Sequence, residues 1–168
     1  MGRGPETRNK KLRLLLEYLK DSSRSDRQLA KTLGVSQATV SRLKSKMLKD
    51  GLISHFSAIP DLGKMGYEIM AFSFVKFKLD HVTEIQGMAK KWAEDHPQII
   101  FTSRAEGMGA DALSISVHKN YAEYKEFLLN NRECWGDLME TVNFILVDLH
   151  GELTKPFSFK SLAEETDS

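Results

Sequence analysis

"GVSQATVSRLKSKMLKDG", Gly34 to Gly51, reads as a turn, a polar helix and a stop. Val40, Leu43 and Met47 recur at i, i+3 and i+7, with Leu48 beside them, so only a narrow stripe of that helix is apolar. Ala38, Arg42, Ser45 and Lys49 fall on the opposite side, flanked by Thr39 and Lys46. Arg42, Lys44, Lys46 and Lys49 stand against a single acid, Asp50. Ser36 is placed to cap the helix, because its hydroxyl can accept from a free N–H of the first turn. The stripe anchors the helix to a core and leaves small, polar and basic side chains outside.

Working upstream, Ser25-Asp26-Arg27-Gln28 has the pattern of a capping box. A short helix follows, with Leu29, Ala30 and Leu33 inward, and Gly34 suits its left-handed cap. Val35 plugs the core between the two helices. Before them, Leu12, Leu15, Leu16 and Leu19 follow i, i+3, i+4 and i+7 and predict an amphipathic helix over 8–20. Two short helices joined by a tight glycine turn form a helix-turn-helix pattern. Its second helix suits the major groove of double-stranded DNA, where Gln and Arg meet base edges and Ser, Thr and Lys meet phosphates. The expected DNA-contacting residues are Arg27, Ser36, Gln37, Ala38, Thr39, Ser41, Arg42, Lys44, Ser45, Lys46 and Lys49. Leu52–Ile59 reads as extended chain ending at Pro60, a small wing, in which His55 suits either a phosphate contact or an ordinary surface position.

Charge supports the same division. Residues 1–60 carry 13 Lys and Arg against 5 Asp and Glu, a charge of +8, and residues 61–168 carry 11 against 18, a charge of −7. The whole chain of 168 residues therefore has a formal charge of only +1. Such asymmetry points to a polyanion-binding module joined to something else, although a basic face is often only a solvated surface. The apolar runs are too short to span a bilayer, and Met1-Gly-Arg-Gly-Pro lacks the apolar segment of a signal peptide. One cysteine, Cys134, cannot form an internal disulfide, which fits a reducing cytoplasm.

After "DLGKMGY", Asp61 to Tyr67, which reads as a hinge, the period changes. Glu68–Lys78 predicts a strand with Phe72 and Phe74 on one face and Ile69, Ala71, Val75 and Phe77 on the other. A helix is marked by Val82, Ile85, Met88, Ala89 and Trp92, then come strands over Ile99–Glu106 and Ala112–His118. Asn120 caps a helix carrying Tyr121, Tyr124, Phe127 and Leu128, and a last strand lies within Leu138–Leu149. The order β-α-β-β-α-β is the ferredoxin-like split unit. The expected fold class is α+β: a winged helix-turn-helix domain (1–60), a hinge (61–67), a ferredoxin-like regulatory and dimerisation domain (68–150) and a tail (151–168) whose end, "EETDS", frays. Because the first and last strands are apolar on both faces, a second copy is expected to cover the outer sheet face, giving a homodimer.

This arrangement resembles the leucine-responsive/asparagine-regulator (Lrp/AsnC) family of prokaryotic transcription regulators, from about Asn9 to Leu149. "RQLAKTLGVSQATVSRLKSKMLKDGLI" (Arg27–Ile53) and "LGKMGY" carry the likeness most strongly. The resemblance implies a sequence-specific, DNA-binding regulator, dimers that assemble into tetramers or octamers, and an amino-acid effector near the turn between the second and third strands. In this chain that turn would offer Gly107, Met108, Gly109 and Asp111. The glycine-to-aspartate spacing departs from the family's, and Gly107 and Gly109 also suit a plain hairpin with φ > 0. The resemblance implies no cofactor. The five histidines, His55, His81, His96, His118 and His150, show no metal-ligand spacing, and no nucleophile motif or phosphate loop appears. An enzyme is therefore not expected. The alternative of the same architecture is a siroheme decarboxylase subunit, for which Arg104 and His118 would be the candidate porphyrin-side residues.

Overall fold

A computed structural model describes residues 5–78 and 82–166. Met1–Gly4, His81 and the last two residues of "EETDS", on which sequence readings fell, lie outside them. The chain divides into two compact units. The first contains the described residues of Met1–Ile59 and of Lys155–Ser168, and the second is Pro60–Thr154.

The first unit begins with α1 (Pro5–Lys20), α2 (Asp26–Leu33) and α3 (Gln37–Lys49). Its core is Leu14, Tyr18, Leu29, Ala30, Val40, Leu43 and Met47, with Leu15, Leu33, Val35 and Ile53 packed around it. Each fully buried aliphatic side chain here stabilises the unit by roughly 2 kcal/mol. Leu14 and Tyr18, not the four leucines of the expected stripe, hold the centre of α1, and Leu12 is 47% exposed. The cause is that α1 is apolar on two sides. Leu16 is buried outside this core, and α6 (Lys160–Thr166) packs against α1, with Ala163 completely buried. The tail therefore carries a helix through Glu164 and Thr166 instead of fraying there. Residues 54–60 form no strand pairing, so the wing is an extended segment, held through Phe56 edge-on to Tyr18 at 4.9 Å between ring centroids.

The second unit is a four-stranded antiparallel sheet, order β2-β3-β1-β4, built from β1 (Ile69–Phe77), β2 (Ile99–Gly107), β3 (Ala110–His118) and β4 (Met139–Asp148). With α4 (Val82–Asp95) and α5 (Tyr121–Trp135) as crossovers, this is the ferredoxin-like topology. Both helices cover one face: Trp92 of α4 meets Phe127 and Trp135 of α5, while Phe77, His118 and Phe144 of the strands meet α5 rings. Asn120 caps α5, its side-chain oxygen accepting from the Glu123 N–H at 2.9 Å.

The period of two puts Met70, Phe72 and Phe74 on the other face. They pair with Val117, Ile115 and Leu113 of β3 and with Val147, Ile145 and Asn143 of β4. Ile145 remains 52% exposed and Phe101, opposite Ile115, 49%. The "DLGKMGY" segment is an ordered turn rather than a loose linker. The Met65 and Lys64 N–H groups donate to Asp61, and Gly63 lies so close to β4 that a Cβ there would meet the Leu149 carbonyl oxygen at 2.7 Å.

Candidate nucleic-acid interface

Local hydrogen bonds set the angle between α2 and α3. Ser25 and Gln28 form the reciprocal capping box: the Gln28 N–H donates to Ser25 Oγ at 3.3 Å and the Ser25 N–H to Gln28 Oε1 at 2.8 Å. Gly34 then turns the chain with φ 65°, its N–H closing on the Ala30 carbonyl. Ser36 caps α3, accepting from the Thr39 N–H at 3.2 Å, and its hydroxyl is 2.9 Å from that of Thr39. Val40 and Met47 are completely buried, so the inner side of α3 is fixed.

That fixes the outer side as well. Gln37, Ala38, Ser41, Arg42, Ser45 and Lys49 are exposed, and Thr39 and Lys46 are half-buried at its margins. Arg27 is exposed on α2. Among the described residues, Arg42, Lys46 and Lys49 make no ion pair, whereas Asp50 is paired with Lys11 of α1 at 2.8 Å. The only acid of the α3 stretch is thus partly neutralised from a different helix, a pairing the local sequence did not signal.

Two of the expected contact types are otherwise engaged. The Ser36 and Thr39 hydroxyls serve the cap. Lys44 turns inward: its Nζ lies 4.8 Å from the centre of the Phe56 ring and 5.9 Å from that of Tyr18. Ring faces attract cations, so Lys44 joins α3 to α1 and the extended segment. The signal for this was Tyr18, one helical turn after Leu14.

In the second unit, Gly107, Met108, Gly109 and Asp111 come together at the β2–β3 hairpin. Met108 and Gly109 both have positive φ, 53° and 70°, the pattern of a type I′ turn. Met108 is 83% exposed. The Asp111 carboxylate is occupied: Oδ1 accepts from Lys76 Nζ at 2.9 Å and Oδ2 from the Phe77 N–H at 3.0 Å. Those two bonds, the lysine's first, hold its carboxyl below the usual range. Of the two residues considered for a porphyrin site, Arg104 is exposed on β2, but His118 is completely buried against Tyr124 and Phe127. Its Nε2 is 2.9 Å from Ser116 Oγ. Burial pushes its imidazole below the ordinary histidine range, outweighing the nearby Glu123 carboxylate.

A capped helix pair presenting a free basic face defines the class: winged helix-turn-helix DNA-binding proteins, whose family pattern matches residues 8–54. An HTH-type transcriptional regulator of Pyrococcus furiosus is 35% identical over 118 residues, spanning 70% of this chain and 76% of that protein. The chain belongs to the HTH-type transcriptional regulators. The fold agrees. An AsnC family transcriptional regulator from Agrobacterium tumefaciens superposes with a TM-score of 0.69 at 20% identity, covering 93% of this chain and 94% of that one. A transcriptional regulator of Neisseria meningitidis, solved as an L-Met complex, gives 0.69 at 12% identity, covering 91% and 97%. No helix among the described residues is long and apolar enough to cross a membrane.

Proposed function

We propose that this regulator reads a specific operator by seating α3 in the major groove of double-stranded DNA. One observation carries this: the outer face of α3 is exposed and basic while its inner face is wholly committed to the core. Gln37, Ala38, Ser41, Arg42 and Ser45 would face base edges, and Arg27, Lys46 and Lys49 the phosphates. DNA binding is assigned to residues 1–60 with α6, and regulation to 68–150. The protein acts in the cytoplasm, in keeping with its DNA target and its single, exposed cysteine, Cys134.

The protein binds as a homodimer, with half-sites about one duplex turn apart. The apolar sheet face of Met70, Phe72, Phe74, Ile115 and Ile145 supports this, since a soluble sheet seldom leaves such a patch to water. A small effector acts on the second unit, and the L-Met complex of the Neisseria regulator supports an amino acid. The Gly107–Asp111 turn is its place by family resemblance. The Asp111 carboxylate would then have to exchange its Lys76 partner for the effector's ammonium group.

The test is titration of the natural upstream DNA with the protein and with Arg42→Ala across a salt series. The variant is expected to lose on the order of 1–3 kcal/mol of affinity if Arg42 reads a guanine. Unchanged affinity and salt slope would remove Arg42 from the DNA contacts.

A further inference from the structure

The helix-facing side of the sheet centre is built from small residues. Ala71 and Ser73 of β1 stand opposite Ser116 and Ser114 of β3, and Ala112 stands opposite Val75. Large residues at such positions would fill the layer between sheet and helices. Here the layer keeps a cavity of about 600 Å³, within the range of small-molecule sites and far above the water-sized voids of a close-packed interior.

The walls of the cavity are aromatic and its floor is polar. Phe77, Trp92, Phe127 and Trp135 line it, with Trp135 5.9 Å from Phe77 and 6.2 Å from Trp92 between ring centroids. Ser73 lines it too. It is only 6% exposed, and its hydroxyl has no hydrogen-bond partner among the described residues. Facing the cavity, that hydroxyl can give or accept a hydrogen bond with an occupant. Thr102 and Arg104 of β2 complete the lining and are exposed, so the cavity opens along that edge strand.

Charge at the opening favours an anion. Five ionisable residues line the cavity: Lys78, Lys90, Arg104, Glu106 and Asp111. Asp111 is paired with Lys76 and Lys90 with Glu94. Lys78 donates to the Asp137 carbonyl oxygen and keeps its charge. Arg104 also acts on the Asp111 carboxylate, so Lys76, Lys78 and Arg104 together face Asp111 and Glu106, one positive charge in excess. The turn residues Gly107, Met108 and Gly109 do not line the cavity.

We propose that this cavity, between the sheet and its two helices, is a binding site for a small aromatic carboxylic acid. Its ring lies among Phe77, Trp92 and Trp135, and its carboxylate meets the Arg104 guanidinium at the opening, with a polar substituent in reach of Ser73. The site adjoins the hairpin turn and shares Asp111 with it, but its aromatic walls lie between sheet and helices, and it stands whether or not α3 binds DNA as proposed.

Both tryptophans of the chain line the cavity, so their emission reports its occupancy. The probe is 3-phenylpropionate, compared with uncharged 3-phenylpropanol, on the full-length protein. The acid is expected to change the emission saturably, and Arg104→Gln to weaken the acid about tenfold while leaving the alcohol unchanged. Ser73→Leu, which fills the floor, should abolish binding of both, with folding checked by thermal melting. Should Ser73→Leu not fold, the exposed Arg104→Gln variant and the acid–alcohol comparison still decide. No saturable change with the acid, equal response of acid and alcohol, or undiminished binding in a folded Ser73→Leu would each overturn the site.

Discussion

Lys44 and Lys46 are two residues apart and have the same chemistry, yet they take different parts. Two residues on a helix are about 200° apart. Lys46 therefore stays at the outer margin, while Lys44 lies over Phe56 and Tyr18. Lys44→Met should leave the salt dependence of DNA binding unchanged and lower the stability of the first unit by about 0.5–1 kcal/mol. A salt titration beside a denaturation curve checks both. His118 makes a second prediction at this scale. Its folded imidazole titrates below the ordinary value, so the unfolded chain binds the proton first as pH falls. The buried neutral ring is fully compatible with folding above about pH 6.5, and stability should fall as pH drops below it. His118→Gln should flatten that part of the profile in thermal melts.

At the scale of elements, the parts legible in the sequence are those specified by neighbours. The Ser25 box, the Gly34 turn and the Ser36 cap each depend on residues three or four positions apart, and each forms as the local pattern implies. The alternation of β1 likewise separated Phe72 and Phe74 from Ala71 and Val75. The side of α1 that meets the core was not legible, because leucines occupy both sides and only the remote α6 decides which are covered. The inward turn of Lys44 and the Lys11–Asp50 pair depend on segments distant in sequence. So does Gly63 of the Asp61–Tyr67 segment, which approaches the backbone of Leu149, the residue after β4. Gly63→Ala should destabilise the second unit by about 1–3 kcal/mol, since backbone stands on the far side of the contact. Chemical denaturation followed by tryptophan emission would show it, and an unchanged midpoint would remove the packing role.

For the molecule as a whole, the outer sheet face is the feature that a single copy leaves unresolved. Phe72 stands at its centre, between Ile115 and Ile145. With the proposed dimer, Phe72→Glu should produce a monomer in light scattering and lose most operator affinity, because one headpiece cannot span two half-sites. A wild-type monomer at micromolar concentration would refute the dimer itself.

The position of α6 bears on how the protein is made. Residues 160–166 emerge from the ribosome after every strand of the sheet, yet they complete the unit that begins with α1. Until then, the side of α1 that α6 covers has no cover. Synthesis thus finishes the sheet first and the DNA-reading headpiece last. A chain cut short before Lys160 would carry a complete sheet unit and an unsealed first unit.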